Sequence, residues 1–250
     1  MIEFETWALT AFVAFCRIGV CLGLAPGFSS PRIPARFRLF ISLGLTLALT
    51  PTLFSDRDAA LRLNTTTDIV RVIASECATG AVLGLTSRFI ISALEAMSVA
   101  ISMSIGVTST LSVRIDENDS LPELATFIVF STTALIFFVD LHWTIVRAMV
   151  DSFAALPIGS AFGGDLALAR IVDTLAFGFP LALRIASPFL AFGLLANLAF
   201  ALVNKVAPQI AMYFISVPFV MAGGFALLYA TAKSLASIFV AGFSLWLSNG

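Results

Sequence analysis

The chain has 250 residues, of which 59% are hydrophobic and 12% are charged, and its formal net charge at pH 7 is −1. Soluble domains carry about 25% charged residues, so water is not the main solvent of this protein. The sequence has no block of lysine and arginine, which argues against nucleic acid as a partner.

Long uncharged runs follow one another along the chain. They cover residues 39–55, 96–113, 124–139, 185–204, 206–232 and 234–250. A membrane-spanning helix needs about 20 apolar residues, and several runs reach or approach that length. The first five residues include two acids and no base, unlike a cleavable signal peptide, so we expect the first segment to stay in the mature protein. We predict an all-α integral membrane protein in which five to six long, partly broken hydrophobic helices form one domain over residues 1–250.

The first three segments are predicted at about 6–25, 38–54 and 69–106. The third contains no proline, so it is either one helix of about 57 Å, nearly twice the thickness of the bilayer core, or a hairpin. At 100° per residue, one face of this segment is small and polar, and hydrocarbon would not solvate it. This polar face consists of Gly80, Gly84, Arg88, Ser92, Glu95, Ser98, Ser102 and Gly106. We expect other protein or water to cover it.

The second half begins with the most acidic loop of the chain, residues 107–123. Segment four then runs from about residue 124 towards 149, segment five covers about 171–203, and segment six covers about 209–246. Proline interrupts helices because it lacks an amide N–H. We therefore predict breaks in segment five at Pro180 and Pro188, and in segment six at Pro218 and the glycine pair 223–224.

The sequence offers no recognisable active site. It has one histidine, His142, and it lacks the GxSxG, HExxH, P-loop and dinucleotide-binding motifs. The three cysteines lie inside apolar segments at no metal-ligand spacing. We predict no enzymatic activity, no cofactor and no metal site, and we interpret His142 as an interfacial or packing residue.

Several ionisable residues lie in or near apolar surroundings, where each needs a partner. They are Arg17, Glu76, Arg88, Glu95, Arg184 and Lys233. Pairing within this chain and pairing with another subunit both stay open. The same two alternatives apply to the GxxxG spacings of residues 19–23 and 80–84, whose glycines allow helix backbones to approach closely.

The predicted breaks in segments five and six permit a different function. Discontinuous helices at matching places in two halves build the substrate site of many secondary transporters. Here both breaks fall in the C-terminal part, and the first half has no counterpart. A transporter of a small solute is therefore the weaker alternative.

Separate stretches in a fixed order along nearly the whole chain point to a family. They are PGFSSPRIPAR at 26–36, LTLALTP at 45–51, Glu76 with GAVLG at 80–84, His142 with SFAALPIG at 152–159, Pro188 with Asn197, APQI at 207–210 and VP at 217–218. This ordered set resembles the FliR/SctT family of flagellar and virulence type III export proteins.

The resemblance implies a structural subunit of a protein export gate in the bacterial inner membrane, at the flagellar basal body. It implies FliP-like and FliQ-like subunits as neighbours, contacts with FlhB-like and FlhA-like proteins and with membrane lipid, and unfolded proteins in transit. An injectisome homologue is an alternative, and overall similarity favours the flagellum.

The resemblance also implies that a loop of this subunit plugs the pore, and the matching segment is 106–122. The plug candidates are Gly106, Thr110, Leu111, Ser112, Val113, Arg114, Asp116, Glu117, Asn118 and Pro122. The candidates for subunit contacts or buried polar sites are Arg17, Glu76, Gly80, Gly84, Arg88, Glu95, His142, Asn197, Pro208 and Gln209.

Overall fold

The computed structural model describes the backbone of residues 2–30, 33–53, 66–107, 122–160, 163–209 and 212–249. Within these ranges the chain forms seven α-helices and no strand. The helices are α1 (Ile2–Leu24), α2 (Ala35–Leu53), α3 (Thr66–Ile105), α4 (Glu123–Phe138), α5 (Leu141–Ala155), α6 (Gly164–Val206) and α7 (Met212–Asn249). Four of them, α1, α3, α6 and α7, are long and apolar enough to cross a membrane, and the bent pair α4–α5 makes a fifth span if it counts as one. The predicted all-α membrane protein is confirmed.

Segment four, predicted as one stretch, is two helices. Asp140 separates them in the left-handed conformation, with φ 58° and ψ 19°. Aspartate adopts this conformation more readily than most residues, and the Trp143 N–H donates to the Asp140 carbonyl at 3.0 Å as α5 begins. With the bent pair counted as one, the described helices form six hydrophobic elements, which agrees with the predicted five to six.

The prolines do not break the last two helices, and the predicted breaks there were wrong. Pro180 and Pro188 lie inside α6, and Pro218 lies inside α7, without a gap in the helix. Prolines are tolerated in membrane helices because neighbouring groups satisfy the freed carbonyls. Segment three is likewise one helix rather than a hairpin, since α3 is continuous over 40 residues.

The chain divides into two compact units. The first comprises residues numbered 1–89 and 140–175, and the second comprises 90–139 and 176–250. In the first unit, α1 and α5 share an apolar core of Ala14, Ile18, Cys21, Leu22, Met149 and Phe153. In the second unit, α3, α4 and α6 share a core of Ile101, Ile105, Val107, Leu124, Ala186 and Phe189.

Helix α2 packs against α1 with polar residues inwards. Ser42, Thr46 and Thr50 are buried, and each hydroxyl donates to the carbonyl four residues earlier at 2.7–2.9 Å. Its outward side carries Phe37 and Phe40, which are 63% and 72% exposed. The hydroxyls are satisfied inside their own helix, so this inverted pattern suits a surface that faces lipid or another protein.

Candidate functional site

A buried ion pair joins α1 to α3 in the first unit. Arg17 Nε donates to Glu76 Oε2 at 2.5 Å, and each side chain is 1% exposed. Two charges this far from water are tolerated only when both are paired and their other hydrogen-bonding groups are satisfied. Arg17 and Glu76 therefore pair with each other within the chain, which is one of the two alternatives that the sequence left open.

The rest of the Arg17 guanidinium holds the C-terminal end of α5. Its Nη1 donates to the Ser152 carbonyl at 3.1 Å, and its Nη2 donates to the Leu156 carbonyl at 2.8 Å. The Phe153 ring lies under the guanidinium, 4.2 Å from centroid to Cζ. Because helix C-termini present unsatisfied carbonyls and a partial negative charge, Arg17 acts as a buried cap for α5.

Glu76 continues the network into the turn that follows α5. Its Oε1 accepts the Gly159 N–H at 3.4 Å, while its Oε2 accepts from Arg17. On α3, the Ser75 hydroxyl donates to the Ser160 carbonyl at 3.0 Å. The turn at 156–160 is therefore fastened to α3 through two neighbouring residues, and we name the set Arg17, Glu76, Ser152, Phe153, Leu156 and Gly159 the α5 clamp.

Close contact between α1 and α3 depends on two glycines. A Cβ at Gly80 would collide with the Arg17 backbone, and a Cβ at Gly84 would lie 2.7 Å from both the Cys21 carbonyl oxygen and the Leu24 Cβ. The pair Gly19–Gly23 differs, because only the Phe15 ring lies within 4 Å of Gly19 and nothing lies within 4 Å of Gly23. One GxxxG spacing packs inside the chain, and the other meets no neighbouring helix within the residues described.

The polar face predicted on α3 is only partly covered. Gly80, Gly84, Ser98 and Ser102 are buried, and the two serine hydroxyls donate to the carbonyls four residues earlier at 2.8 Å. Ser92, Glu95 and Gly106 are partly buried. Arg88 is exposed and makes no hydrogen bond or ion pair with any described residue.

Helix α3 ends in a Schellman motif at Gly106. This glycine has φ 79°, its N–H donates to the Met103 carbonyl, and the Val107 N–H donates to the Ser102 carbonyl, both at 3.1 Å. Glycine fits this left-handed position because it has no Cβ. The other end of the plug segment, Pro122, precedes α4 as its N-cap. The plug candidates Thr110, Leu111, Ser112, Val113, Arg114, Asp116, Glu117 and Asn118 lie outside the described residues.

The remaining sequence candidates are not members of the α5 clamp. His142 is half-buried in the first turn of α5, with its ring 5.8 Å from that of Trp143. Asn197 on α6, and Pro208 and Gln209 in the turn after it, are exposed.

The sequence prediction missed the part of the clamp that comes from α5. Phe153, Leu156 and Gly159 belong to the stretch that carried the family resemblance, but the Ser152 and Leu156 contacts use backbone carbonyls, which leave no mark in a sequence. Cys16 and Cys77, each next to a residue of the ion pair in sequence, are close enough to interact, and the sequence analysis did not pair them. No group of three or more His, Cys, Asp or Glu residues in the described ranges could hold a metal ion.

Comparison with known proteins gives one consistent result. The profile of the family described as bacterial export proteins, family 1, matches residues 8–245. The protein named flagellar biosynthetic protein FliR in Caulobacter vibrioides is 28% identical over 91% of this chain and 90% of its own length. Proteins of the same name in Escherichia coli K12 and Aquifex aeolicus are each 24% identical, over 94% and 86% of this chain and 88% and 81% of their own lengths. The chain therefore belongs to family 1 of the bacterial export proteins, the family of the FliR proteins.

Proposed function

We propose that this chain is a structural subunit of the protein export gate at the base of the bacterial flagellum, in the inner membrane. The family membership, the flagellar names of its relatives and the apolar helices support this function. In this role the subunit lines a passage for unfolded flagellar proteins, and it needs no catalytic group of its own.

The lengths of the helices are the main observation behind the proposal. Helices α3, α6 and α7 contain 40, 43 and 38 residues. They are therefore about 57–65 Å long, against about 30 Å for the hydrocarbon core. In the most apolar part of α6 only 22% of the residues are buried inside the chain, and in that of α7 only 11%. Lipid can cover only about half the length of each helix. We therefore expect sister subunits to cover the remaining apolar surface.

The neighbours that we propose are FliP-like and FliQ-like subunits, with FlhB-like and FlhA-like proteins at the periphery. Exposed polar residues on apolar helices are the candidate contact points, because a charged or amide side chain there needs a partner. Arg88 and Asn197 are exposed in this way. The partly buried Glu95, the exposed turn residues Pro208 and Gln209, and the glycine pair 19–23, which no other described helix fills, are further candidates.

For the loop between α3 and α4, we propose the role of pore plug. Val107, near the start of this loop, and Leu124, in the first turn of α4, are both buried in the apolar core of the second unit. The residues between them include Arg114, Asp116, Glu117 and Asp119, which are too polar for hydrocarbon and suited to a water-filled passage. Firm anchors at both ends of a charged loop are what a tethered plug requires.

Deletion of the gene, followed by complementation, tests the proposal. The deletion strain should be non-motile and should stop releasing flagellar proteins into the medium, and the intact chain should restore both. Normal motility and release of flagellar proteins in the deletion strain would refute the proposed function.

A further inference from the structure

The final part of the chain carries charge of one sign only. From residue 174 to 250 there is no Asp or Glu, but there are three cations, Arg184, Lys205 and Lys233. All three side chains are exposed, and none makes a hydrogen bond or ion pair with another described residue. An exposed cation on an apolar helix needs an anion opposite it, and this stretch of chain supplies none.

Arg184 and Lys233 lie at nearly the same height in the antiparallel pair formed by α6 and α7. The rings of Phe200 and Phe219 meet at a centroid distance of 5.7 Å, which fixes the register of the two helices. Arg184 precedes Phe200 by 16 positions, or about 24 Å at 1.5 Å per residue. Lys233 follows Phe219 by 14 positions, or about 21 Å. The two cations are therefore within one helical turn of the same level.

The stretch between these cations and Lys205 has the thickness of a bilayer core. Lys205 follows Arg184 by 21 positions on the same helix, about 31 Å, and a hydrocarbon core measures about 30 Å. Residues 185–204 and 212–232 include no charged side chain. The outer surface of this stretch is mostly apolar, with side chains more than half exposed at Leu194, Leu195, Leu198, Leu202, Phe214 and Phe219. Asn197 is an exposed amide within it.

The tyrosines mark the same two levels. The chain has two, and both belong to α7. Tyr229 is 90% exposed and lies one helical turn before Lys233. Tyr213 is the second residue of α7, at the end of the helix pair where Lys205 lies. Tyrosine is enriched at both membrane–water interfaces, where its ring is apolar and its hydroxyl reaches water.

We infer that Arg184 and Lys233 bind the phosphates of phospholipid headgroups at one face of the bilayer, and that Lys205 marks the other face. Residues 185–204 and 212–232 then cross the hydrocarbon. A carboxylate on a partner protein would also neutralise the two cations, but it would account neither for the spacing of about 31 Å nor for a tyrosine at each level. This inference does not depend on the export function.

Depth measurement on the full chain in vesicles of phosphatidylethanolamine and phosphatidylglycerol tests the placement. A nitroxide is attached at one introduced cysteine, with the native cysteines replaced by alanine. Labels at Leu183→Cys and Ala232→Cys, which keep both cations, should report headgroup depth, and labels at Leu194→Cys and Phe225→Cys should report the bilayer centre. Equal depth at all four positions would overturn the inference.

Lipid binding by the chain with its native cysteines gives an independent test. Phosphatidylglycerol is titrated into the full chain in detergent, and its affinity should fall about fivefold for each cation removed in Arg184→Gln and Lys233→Gln. Arg170→Gln, an exposed arginine on the same helix, is the matched control and should bind like the parent chain. If the double variant binds this lipid normally but loses partner proteins on co-purification, the cations face carboxylates and the headgroup assignment is wrong.

Discussion

Arg17 on α1 and Glu76 on α3 are 59 positions apart in the sequence and form a buried ion pair at 2.5 Å. Through the same guanidinium, Arg17 also caps α5. The first unit of this membrane protein is thus held together by a buried charged contact as well as by apolar packing. This arrangement makes Arg17 more sensitive to substitution than an exposed arginine.

We expect Arg17→Ala or Glu76→Ala to destabilise the chain by roughly 3–5 kcal/mol, because each leaves a buried charge without its partner. The abundance of the chain in membranes and its thermal unfolding in detergent measure the loss. Arg147→Ala, at an exposed arginine of α5, is the control and should change little. Equal stability of the Arg17→Ala and Arg147→Ala variants would show that the ion pair contributes nothing.

The double variant Arg17→Met/Glu76→Leu separates the ion pair from the cap. Replacing a simple buried pair by apolar side chains of similar volume is often neutral or stabilising. Here we expect incomplete recovery, because the Leu156 carbonyl loses its Arg17 donor and the Ser152 carbonyl keeps only the Leu156 N–H. Full recovery of thermal stability would mean that the contact with α5 is incidental.

The glycines at the contact of α1 and α3 give a further prediction. Gly80→Ala and Gly84→Ala place a methyl group against the backbone of α1, and overpacking of this kind costs about 1–3 kcal/mol. Gly44→Ala on α2 is the control, since nothing lies within 4 Å of the added atom. Thermal unfolding of the three variants should rank Gly44→Ala as the most stable. A Gly80→Ala variant as stable as this control would refute the close approach.

The cysteines provide a covalent test of the same helix contact. The thiols of Cys16 on α1 and Cys77 on α3 are free and close enough to interact. Copper phenanthroline should therefore link α1 to α3, which a shift in gel mobility detects. Cys77→Ser should abolish the shift, whereas Cys21→Ser should leave it unchanged. If the Cys77→Ser chain still shifts, the bond joins other cysteines and the predicted contact is absent.

The proposed plug predicts a leak. Deletion of residues 111–119 from the assembled gate should raise the conductance of the membrane to ions or small solutes, because the loop would no longer close the passage. If the deletion leaves the conductance at the parental level, the segment is not a plug. Immunoblotting of the gate complex serves as the control that assembly has occurred.

Sequence reasoning found the membrane character, the helices and the family, because all three depend on the composition and order of many residues. It marked Arg17 and Glu76 as residues in need of partners, but it could not pair them, since distant residues meet only through tertiary packing. It predicted helix breaks at Pro180 and Pro188, where helix α6 is continuous, because proline signals calibrated on soluble helices overstate the cost in apolar surroundings. It missed the turn at Asp140 because no glycine or proline there indicates the end of a helix.

The central claim is that this chain works as one subunit among several. Affinity purification of the tagged chain from its own membranes in mild detergent, followed by identification of the co-purifying proteins by mass spectrometry, tests it most directly. The account predicts one large complex that contains other membrane proteins of the export apparatus. A stable, monodisperse monomer without partners would contradict it.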